Sequence, residues 1–323
     1  MAEGVVEFPV ADEDLLNSEA SALPDSPAIY VSQLTKTYGQ TPALSGLSMS
    51  VPRGEVFGFL GPNGAGKTTL VKMLLGLARP TSGESMVLGS PAGSLDARRQ
   101  VGYLPELFRY QGWLTAREVL ALHCRLAQLE RSAWPDAIRG ALATVGLAYR
   151  ADDRVSGFSK GMQQRLGLGV ALLGSPQLVL LDEPTSALDP VGRHDVREIV
   201  RRLRDQGVAV FLNSHLLSEV EQVCDRAAVV DHGRVIATGR LAELLGRPQV
   251  RVRCTGLGAE ARGELSTFGK ILDDEGWLTV SAIDPSRVPD LIAAIVAAGG
   301  RIYAVDPGQQ TLEERFLQLI GDS

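Results

Sequence analysis

Short, uninterrupted apolar runs alternate with segments of helical periodicity along the first three quarters of the chain. The runs at residues 55–60, 178–181 and 208–212 have the β-branched and aromatic content of buried strands, as in the middle of a parallel sheet. Elsewhere apolar residues recur every three or four positions, which predicts amphipathic helices. These helical segments cover 70–77, 116–129, 135–147 and 163–173. The pattern indicates an α/β fold.

The pattern changes after the Gly-Arg-Pro sequence at 246–248. Three segments then alternate apolar and polar residues like strands, and two others have helical spacing. The strand-like segments are 250–254, 278–284 and 301–306, and the helical ones are 288–300 and 311–321. We therefore expect a small C-terminal α+β domain over residues 247–323.

An acidic leader precedes the first predicted strand. Residues 1–27 contain seven Asp and Glu and no Lys or Arg, the opposite of the basic start of a signal peptide. The whole chain has a formal net charge of −6, so the residues after the leader sum to +1. The net charge does not indicate nucleic-acid binding. We expect the leader to be disordered and solvated, with a partner-binding tail as the alternative.

The overall composition is that of a globular protein. Hydrophobic residues make up 45% of the chain and charged residues 22%. No apolar stretch reaches the roughly 18 residues that a membrane-spanning helix needs. Cys124, Cys224 and Cys254 lie far apart, which favours free thiols in a reducing cytosol over a disulfide framework or a zinc site.

Residues 58–76, GFLGPNGAGKTTLVKMLLG, join a strand to a helix through a glycine-rich loop. Glycines let successive backbone N–H groups point inward, and the helix start adds its positive dipole end. This pattern predicts a phosphate cradle in which Lys67 reaches the β- and γ-phosphates of a nucleotide, Thr68 provides a hydroxyl for Mg²⁺ and Thr69 contacts the α-phosphate. The predicted nucleotide-binding residues here are Gly61, Pro62, Asn63, Gly64, Ala65, Gly66, Lys67, Thr68 and Thr69.

Two adjacent carboxylates, Asp182 and Glu183, follow the apolar run at 178–181. Carboxylates at the end of a buried strand are costly unless a cation lies beside them. We expect Asp182 to hold Mg²⁺ through water and Glu183 to act as the general base that polarises the attacking water.

Two further polar positions are ambiguous from the residues alone. Ser159 is a good N-cap for the helix predicted at 163–173, and a capped helix start is either ordinary structure or a second anion site. His215 follows the run at 208–212, at the strand end where α/β sheets keep their ligand crevices. A polar histidine of the core is the alternative for His215.

The order and spacing of these motifs resemble the ATP-binding cassette of ABC transporters over about residues 28–246. The resemblance implies a P-loop NTPase fold with a helical subdomain at about 107–157. It also implies that Tyr38 stacks on adenine, that His215 contacts the γ-phosphate and that residues 186–189, with Asp189, form the loop that crosses between two sites. The signature residues, which would bind the ATP held by the opposite subunit, are Ser159, Lys160, Gly161 and Met162.

The sequence departs from the family pattern in two places. The usual signature Leu-Ser-Gly-Gly-Gln is Phe-Ser-Lys-Gly-Met here, at 158–162. Where the family usually has a glutamine facing the metal, this chain has Glu106, which carries charge but can still face Mg²⁺ or water. Both variants resemble the drug and polysaccharide exporter branch, in which the cassette and the membrane subunit are separate chains.

The resemblance implies an ATPase that couples MgATP-driven closure of a dimer to transport. Its implied partners are a second copy of the chain and integral membrane permease subunits, with no nucleic acid, on the cytoplasmic face of the membrane. Phe108 and Trp113 would contribute to the docking socket or are ordinary packing aromatics. The alternatives are an ABC-type ATPase of a non-transport or lipid-shuttle assembly and a small-molecule kinase, which Glu183 and the signature disfavour.

Overall fold

The computed structural model describes residues 26–186, 188–245, 249–274, 276–308 and 311–321. Its contacts divide the chain into two compact units, Met1–Arg240 and Leu241–Ser323. Residues 1–25 of the predicted leader, Ala187 of the crossing loop and the domain boundary expected at 246/247 lie outside the described residues.

The first described residues, which belong to the predicted leader, contact the rest of the chain. Arg53 Nε donates a hydrogen bond to the Ser26 carbonyl oxygen at 2.7 Å, and Ala28 is fully buried. Ser26 therefore has a tertiary contact, and the leader expected over residues 1–27 stays a prediction.

The first unit contains two sheets and the helices between their strands. Its strands are β1 (Ile29–Tyr38), β2 (Thr41–Val51), β3 (Val56–Leu60), β4 (Ser82–Val87), β5 (Ser90–Pro91), β6 (Val101–Leu104), β7 (Leu178–Asp182), β8 (Ala209–Ser214), β9 (Arg226–Asp231) and β10 (Arg234–Arg240). Its helices are α1 (Lys67–Leu74), α2 (Leu95–Arg99), α3 (Ala116–Leu126), α4 (Trp134–Thr144), α5 (Lys160–Ala171), α6 (Pro190–Asp205) and α7 (Leu217–Val223).

The larger sheet has the order β10-β9-β3-β8-β7-β6. Its strands are parallel except for β10, which pairs antiparallel with β9. The three apolar runs of the sequence are β3, β7 and β8, and every residue of these strands is buried. The α/β prediction is confirmed, and the carboxyl ends of β3, β7 and β8 meet at one edge.

The smaller sheet, β2-β1-β4-β5, is antiparallel. Buried side chains of both sheets and of α1, such as Leu34, Phe59, Leu70 and Phe211, belong to one hydrophobic cluster. The central rings are close, since Phe59 and Phe211 have their centroids 5.3 Å apart. This core fixes β3 and α1, and with them the loop that joins the two.

Helix ends follow local capping chemistry. The Thr115 hydroxyl and the Glu118 carboxylate form a reciprocal capping box at the start of α3. α5 begins at Lys160, three residues before the predicted start, because the Ser159 hydroxyl accepts from the Met162 N–H at 3.2 Å.

The second unit is an antiparallel sheet with helices. It comprises α8 (Leu241–Leu244), β11 (Gln249–Thr255), α9 (Ala259–Leu265), β12 (Lys270–Asp274), β13 (Trp277–Ser281), α10 (Val288–Ala297), β14 (Arg301–Gly308) and α11 (Leu312–Gly321), with the sheet order β12-β13-β11-β14. Val252, Val280, Leu291 and Ile295 are fully buried in its core. Among the described residues of both units, no helix combines the length and apolarity needed to cross a membrane.

Candidate functional site

The loop between β3 and α1 needs glycine at specific positions. Gly66 has a φ of 97°, and a Cβ there would lie 2.3 Å from the Ala43 carbonyl oxygen. A Cβ on Gly61 would lie 2.3 Å from the Val230 carbonyl oxygen. Side chains at either position would push the loop away from β2 and β9, so the tight path of the cradle depends on these glycines.

A cavity of about 310 Å³ opens at the carboxyl edge of the larger sheet, in front of this loop. We call it the first cavity. It gathers most of the predicted phosphate and metal residues from four separate parts of the chain. Its lining residues are Ala43, Asn63, Gly64, Gly66, Lys67, Thr68, Thr69, Glu106, Asp182, Glu183, Asn213 and His215.

Lys67 is buried at the start of α1, and its Nζ donates to the carbonyl oxygens of Gly61 at 2.8 Å and Pro62 at 3.2 Å. Burial lowers the pKa of Lys67, while the nearby carboxylates of Glu183, Asp182 and Glu106 oppose that shift. The ammonium is thus held by the loop's own carbonyls, within reach of the three acids.

Asp182 ends β7 and is buried beside Asn213 of β8, whose Nδ2 donates to Asp182 Oδ1. Burial raises the pKa of Asp182, and the hydrogen bond from Asn213 opposes that shift. The other amide atom, Asn213 Oδ1, is buried with no hydrogen-bond partner in the described chain. Sequence reasoning did not assign Asn213 to the site, although its position at the end of an apolar run, like that of Asp182, is a usable signal.

Glu183 and His215 form a close pair. His215 Nδ1 lies 2.8 Å from Glu183 Oε2, and the His215 N–H donates to Glu183 Oε1 at 3.0 Å. The Glu183 N–H donates to the Asn213 carbonyl oxygen at 2.9 Å, and its φ is 52°. This left-handed turn directs the carboxylate out of the strand and toward His215.

Glu106 lines the first cavity, as the resemblance implies for the position of the family's glutamine. Its charge reaches Tyr103, at the end of β6. Burial, together with the charges of Asp182 and Glu106, raises the pKa of Tyr103 to about 12. Three acids and one lysine therefore share a small volume, which favours a divalent cation and a phosphate group there.

The donor set fits Mg²⁺. The first cavity offers the hydroxyl oxygen of Thr68 and the carboxylate oxygens of Asp182 and Glu106. No group of three or more His, Cys, Asp or Glu residues arranged to hold a metal occurs in the described part of the chain. Mg²⁺ uses one or two carboxylates together with substrate phosphates and water, so this set suits a metal that arrives with a nucleotide.

A second cavity of about 370 Å³ lies at the start of α5. Ser159, Lys160 and Gly161 line it together with Asp189, whose Oδ1 accepts from the Gly192 N–H at 2.7 Å at the start of α6. Met162, the last predicted signature residue, contributes its N–H to the Ser159 cap. The two cavities share no described lining residue, so the structure does not bring the signature residues to the phosphate loop of the same chain.

Tyr38 is not among the residues that line the first cavity. Tyr38 is 51% exposed, and Lys36 Nζ lies 4.9 Å from its ring centroid. Its role as an adenine-stacking residue stays a prediction.

Comparison with known proteins gives consistent matches. The family described as "ABC transporter" matches residues 44–186. An uncharacterised ABC transporter ATP-binding protein of Nostoc sp. (strain PCC 7120) is 39% identical over 86% of this chain and 83% of its own length. A Nod factor export ATP-binding protein I of Rhizobium meliloti is 42% identical over 92% of this chain and 89% of its own length. A solved structure, described as the dimeric post-hydrolysis state of the ATP-binding cassette MJ0796 bound to ADP and Pi, is 25% identical, covers 66% of this chain and 98% of that chain, and has a TM-score of 0.59.

Proposed function

Because the chain belongs to the ABC transporter family, as an ATP-binding subunit that hydrolyses ATP, we propose that it powers an exporter through separate membrane subunits. The export direction is supported by a similar protein that carries export in its name, the Nod factor export protein. The same similarity extends over both units of the chain, since it covers 92% of the sequence.

The single observation that carries the proposed chemistry is the first cavity. It holds the glycine loop, Lys67, the adjacent acids Asp182 and Glu183, and His215 within one volume. Such a set of positioned charges is what phosphoryl transfer to water requires.

In this mechanism the backbone N–H groups of the loop and Lys67 bind the phosphates and stabilise the charge that develops on them. Glu183 accepts the proton of the water that attacks the γ-phosphorus, and the bond from that phosphorus to the bridging oxygen of ADP breaks. His215 orients Glu183 through the 2.8 Å contact. Mg²⁺, held by Thr68, Asp182 and Glu106, would supply additional charge stabilisation when bound.

The separation of the two cavities supports a site built from two chains. The signature residues and Asp189 line the second cavity, away from the phosphate loop of their own chain. We propose that two copies pair head to tail, so that the second cavity of each chain closes over the ATP in the first cavity of the other.

Exposed apolar residues support a docking surface for a membrane subunit near Glu106. Leu107 is 87% exposed and Trp113 is 71% exposed. Phe108, in contrast, packs against the Tyr110 ring at 5.3 Å, so it is a packing aromatic. We propose that Leu107 and Trp113 belong to the contact with a permease on the cytoplasmic face of the membrane.

Co-purification tests the exporter proposal directly. The tagged full chain, expressed in its native host and solubilised in mild detergent, is expected to bring down multi-span membrane proteins. A Trp113→Ser/Leu107→Ser variant should lose them while its ATP binding is retained. Recovery of ribosomes or nucleic acid in place of membrane proteins would contradict the proposal.

The Glu106→Gln variant is expected to show whether Glu106 faces the metal or only repels the nucleotide. Removing one negative charge from the first cavity should tighten binding of metal-free ATP by about tenfold, since a charge pair near a protein surface is worth a few kcal/mol at most. Binding of MgATP should not gain, because a carboxylate that faces the metal is lost. Titration of a fluorescent ATP analogue with and without Mg²⁺ measures both effects, with the exposed Glu130→Gln as the control. Equal tightening in both titrations would remove Glu106 from the metal site.

Deletion of residues 1–25 is expected to leave ATPase activity within about twofold of the full chain, because a leader of the disordered kind that its acidic composition predicts has no core to lose. The cut precedes Ser26, which keeps its hydrogen bond from Arg53. Steady-state phosphate release measures the effect. A larger loss would assign the leader a regulatory or docking role.

A further inference from the structure

Three arginines on one face of α6 contact the segment around α7. Arg197, Arg201 and Arg204 are spaced by four and three residues, which places them on one side of a helix. We call them the arginine row. They join α6, which begins directly after Asp189 of the second cavity, to α7, which begins two residues after His215 of the first cavity.

The first contact of the row is a buried ion pair. Arg197 Nη1 lies 3.0 Å from Glu219 Oε1 and 3.1 Å from Glu219 Oε2. The side chains are 17% and 7% exposed, respectively. A buried carboxylate needs a positively charged partner. Because Arg197 Nη1 contacts both oxygens of Glu219, the ion pair fixes the position of α7 relative to α6.

The other two arginines extend the contact along both helices. Arg201 Nη2 donates to the Gln222 carbonyl oxygen at 3.1 Å, at the end of α7. Arg204 Nη1 lies 3.4 Å from Asp225 Oδ1, and Asp225 Oδ2 accepts from the Val56 N–H of β3 at 2.8 Å. The row therefore spans α7 from its first turn to the loop beyond it.

The two helices that the arginine row connects each begin beside a cavity. At one end, Arg193 Nε donates to the Leu188 carbonyl oxygen at 3.1 Å, next to Asp189. At the other end, the Leu216 N–H donates to Ser214 Oγ at 3.1 Å, so that α7 continues directly from the turn that carries His215.

We propose that the arginine row makes α6 and α7 one rigid element, and that Arg197 and Glu219 are positioning residues for His215. A displacement of residues 188–189 at the second cavity then moves His215, and with it the 2.8 Å contact to Glu183, in the first cavity of the same chain. ATP bound in the second cavity of one chain thereby sets the geometry of Glu183 and His215 in that same chain. This inference rests on the proposed function, because it assigns ATP to both cavities.

A double variant tests the proposal without leaving a buried charge. Arg197→Met/Glu219→Leu replaces the ion pair by apolar side chains, an exchange that is often neutral or stabilising. The melting temperature and the ATP dissociation constant are expected to stay unchanged, because the phosphate loop lies on β3 and α1. We expect kcat to fall by about 10- to 100-fold, since a misplacement of about 1 Å in a catalytic constellation costs this much.

The matched control is Arg117→Met/Asp152→Leu. It removes another close ion pair of the first unit, 2.8 Å between Arg117 Nε of α3 and Asp152 Oδ1, which involves neither α6 nor α7. Its kcat should equal that of the wild type. If the first double variant does not fold, Arg201→Met provides the test. It removes the hydrogen bond to the Gln222 carbonyl and an ion pair with Glu198 of the same helix, whose half-exposed carboxylate is not left buried.

An unchanged kcat in the folded variant would overturn this inference but not the proposed function. A parallel loss of kcat, ATP binding and melting temperature would also overturn it, because that outcome indicates only a structural role. Absence of ATP hydrolysis by the wild type, in contrast, would overturn the proposed function.

Discussion

Glu183→Gln is expected to bind MgATP and to hydrolyse it about 10²- to 10⁴-fold more slowly than the wild type, the usual contribution of a positioned base. Glutamine keeps the size of the side chain and can still accept the His215 N–H, now 3.0 Å from Oε1. It cannot accept the proton of the attacking water. The phosphate contacts come from Lys67 and the loop, which the substitution does not touch.

The same substitution should change the oligomeric state. It removes one of the three acids that face the nucleotide, so the closed pair of chains should be favoured when ATP is bound. Size-exclusion chromatography with light scattering is expected to show an ATP-dependent dimer for Glu183→Gln at concentrations where the wild type is a monomer or dimerises only transiently. Single-turnover phosphate release measures the chemical step.

Asp182→Asn provides the contrast. It removes the proposed metal ligand and should weaken binding of MgATP, whereas metal-free ATP should bind more tightly, as for Glu106→Gln, because one negative charge of the first cavity is lost. Near-normal turnover of Glu183→Gln would remove Glu183 from the catalytic role. Loss of both MgATP binding and turnover would instead indicate that Glu183 supports the metal site or the fold.

Lys67→Ala is expected to abolish tight MgATP binding. The ammonium provides charge-assisted hydrogen bonds to phosphate, each worth about 1.5–3 kcal/mol, so two of them account for a loss of more than about 100-fold in affinity. Its present partners, the carbonyl oxygens of Gly61 and Pro62, are acceptors that a triphosphate would replace. Isothermal titration calorimetry with MgATP gives the dissociation constant.

Lys67→Met is the matched control, because it keeps an unbranched apolar stem of similar length and removes only the charge. It should bind MgATP as weakly as Lys67→Ala. Its melting temperature should not fall, since burial already disfavours the charged form and lowers the pKa of Lys67. Wild-type affinity in Lys67→Met would show that the charge is not the binding determinant.

The parts of the site that lie on one continuous segment were predictable from the sequence. The strand, the glycine loop and the start of α1 are local features, and the close approach of Gly66 to Ala43 explains the residue type that made the loop recognisable. The apolar runs likewise predicted β3, β7 and β8, because central parallel strands are buried on both faces.

The parts that depend on pairing between segments were not predictable. The amide of Asn213 reaches Asp182 only because β8 lies beside β7. The contacts of the arginine row were not predictable for the same reason, because the spacing of the arginines on α6 does not identify the helix that they face. The N-cap at Ser159 was predictable from the residue type, although α5 begins at Lys160, three residues before the predicted start.

The left-handed backbone at Glu183 has an evolutionary consequence. A residue with a Cβ in this region costs about 1–2 kcal/mol relative to a right-handed one, and glycine or asparagine tolerates it better. The glutamate at 183, with a φ of 52°, therefore goes against a preference of the backbone itself, and we expect selection for turnover to maintain it. In a duplicated gene whose product keeps binding ATP but is no longer selected to hydrolyse it, this codon should be among the first to drift, and replacement by asparagine should accompany a gain in stability.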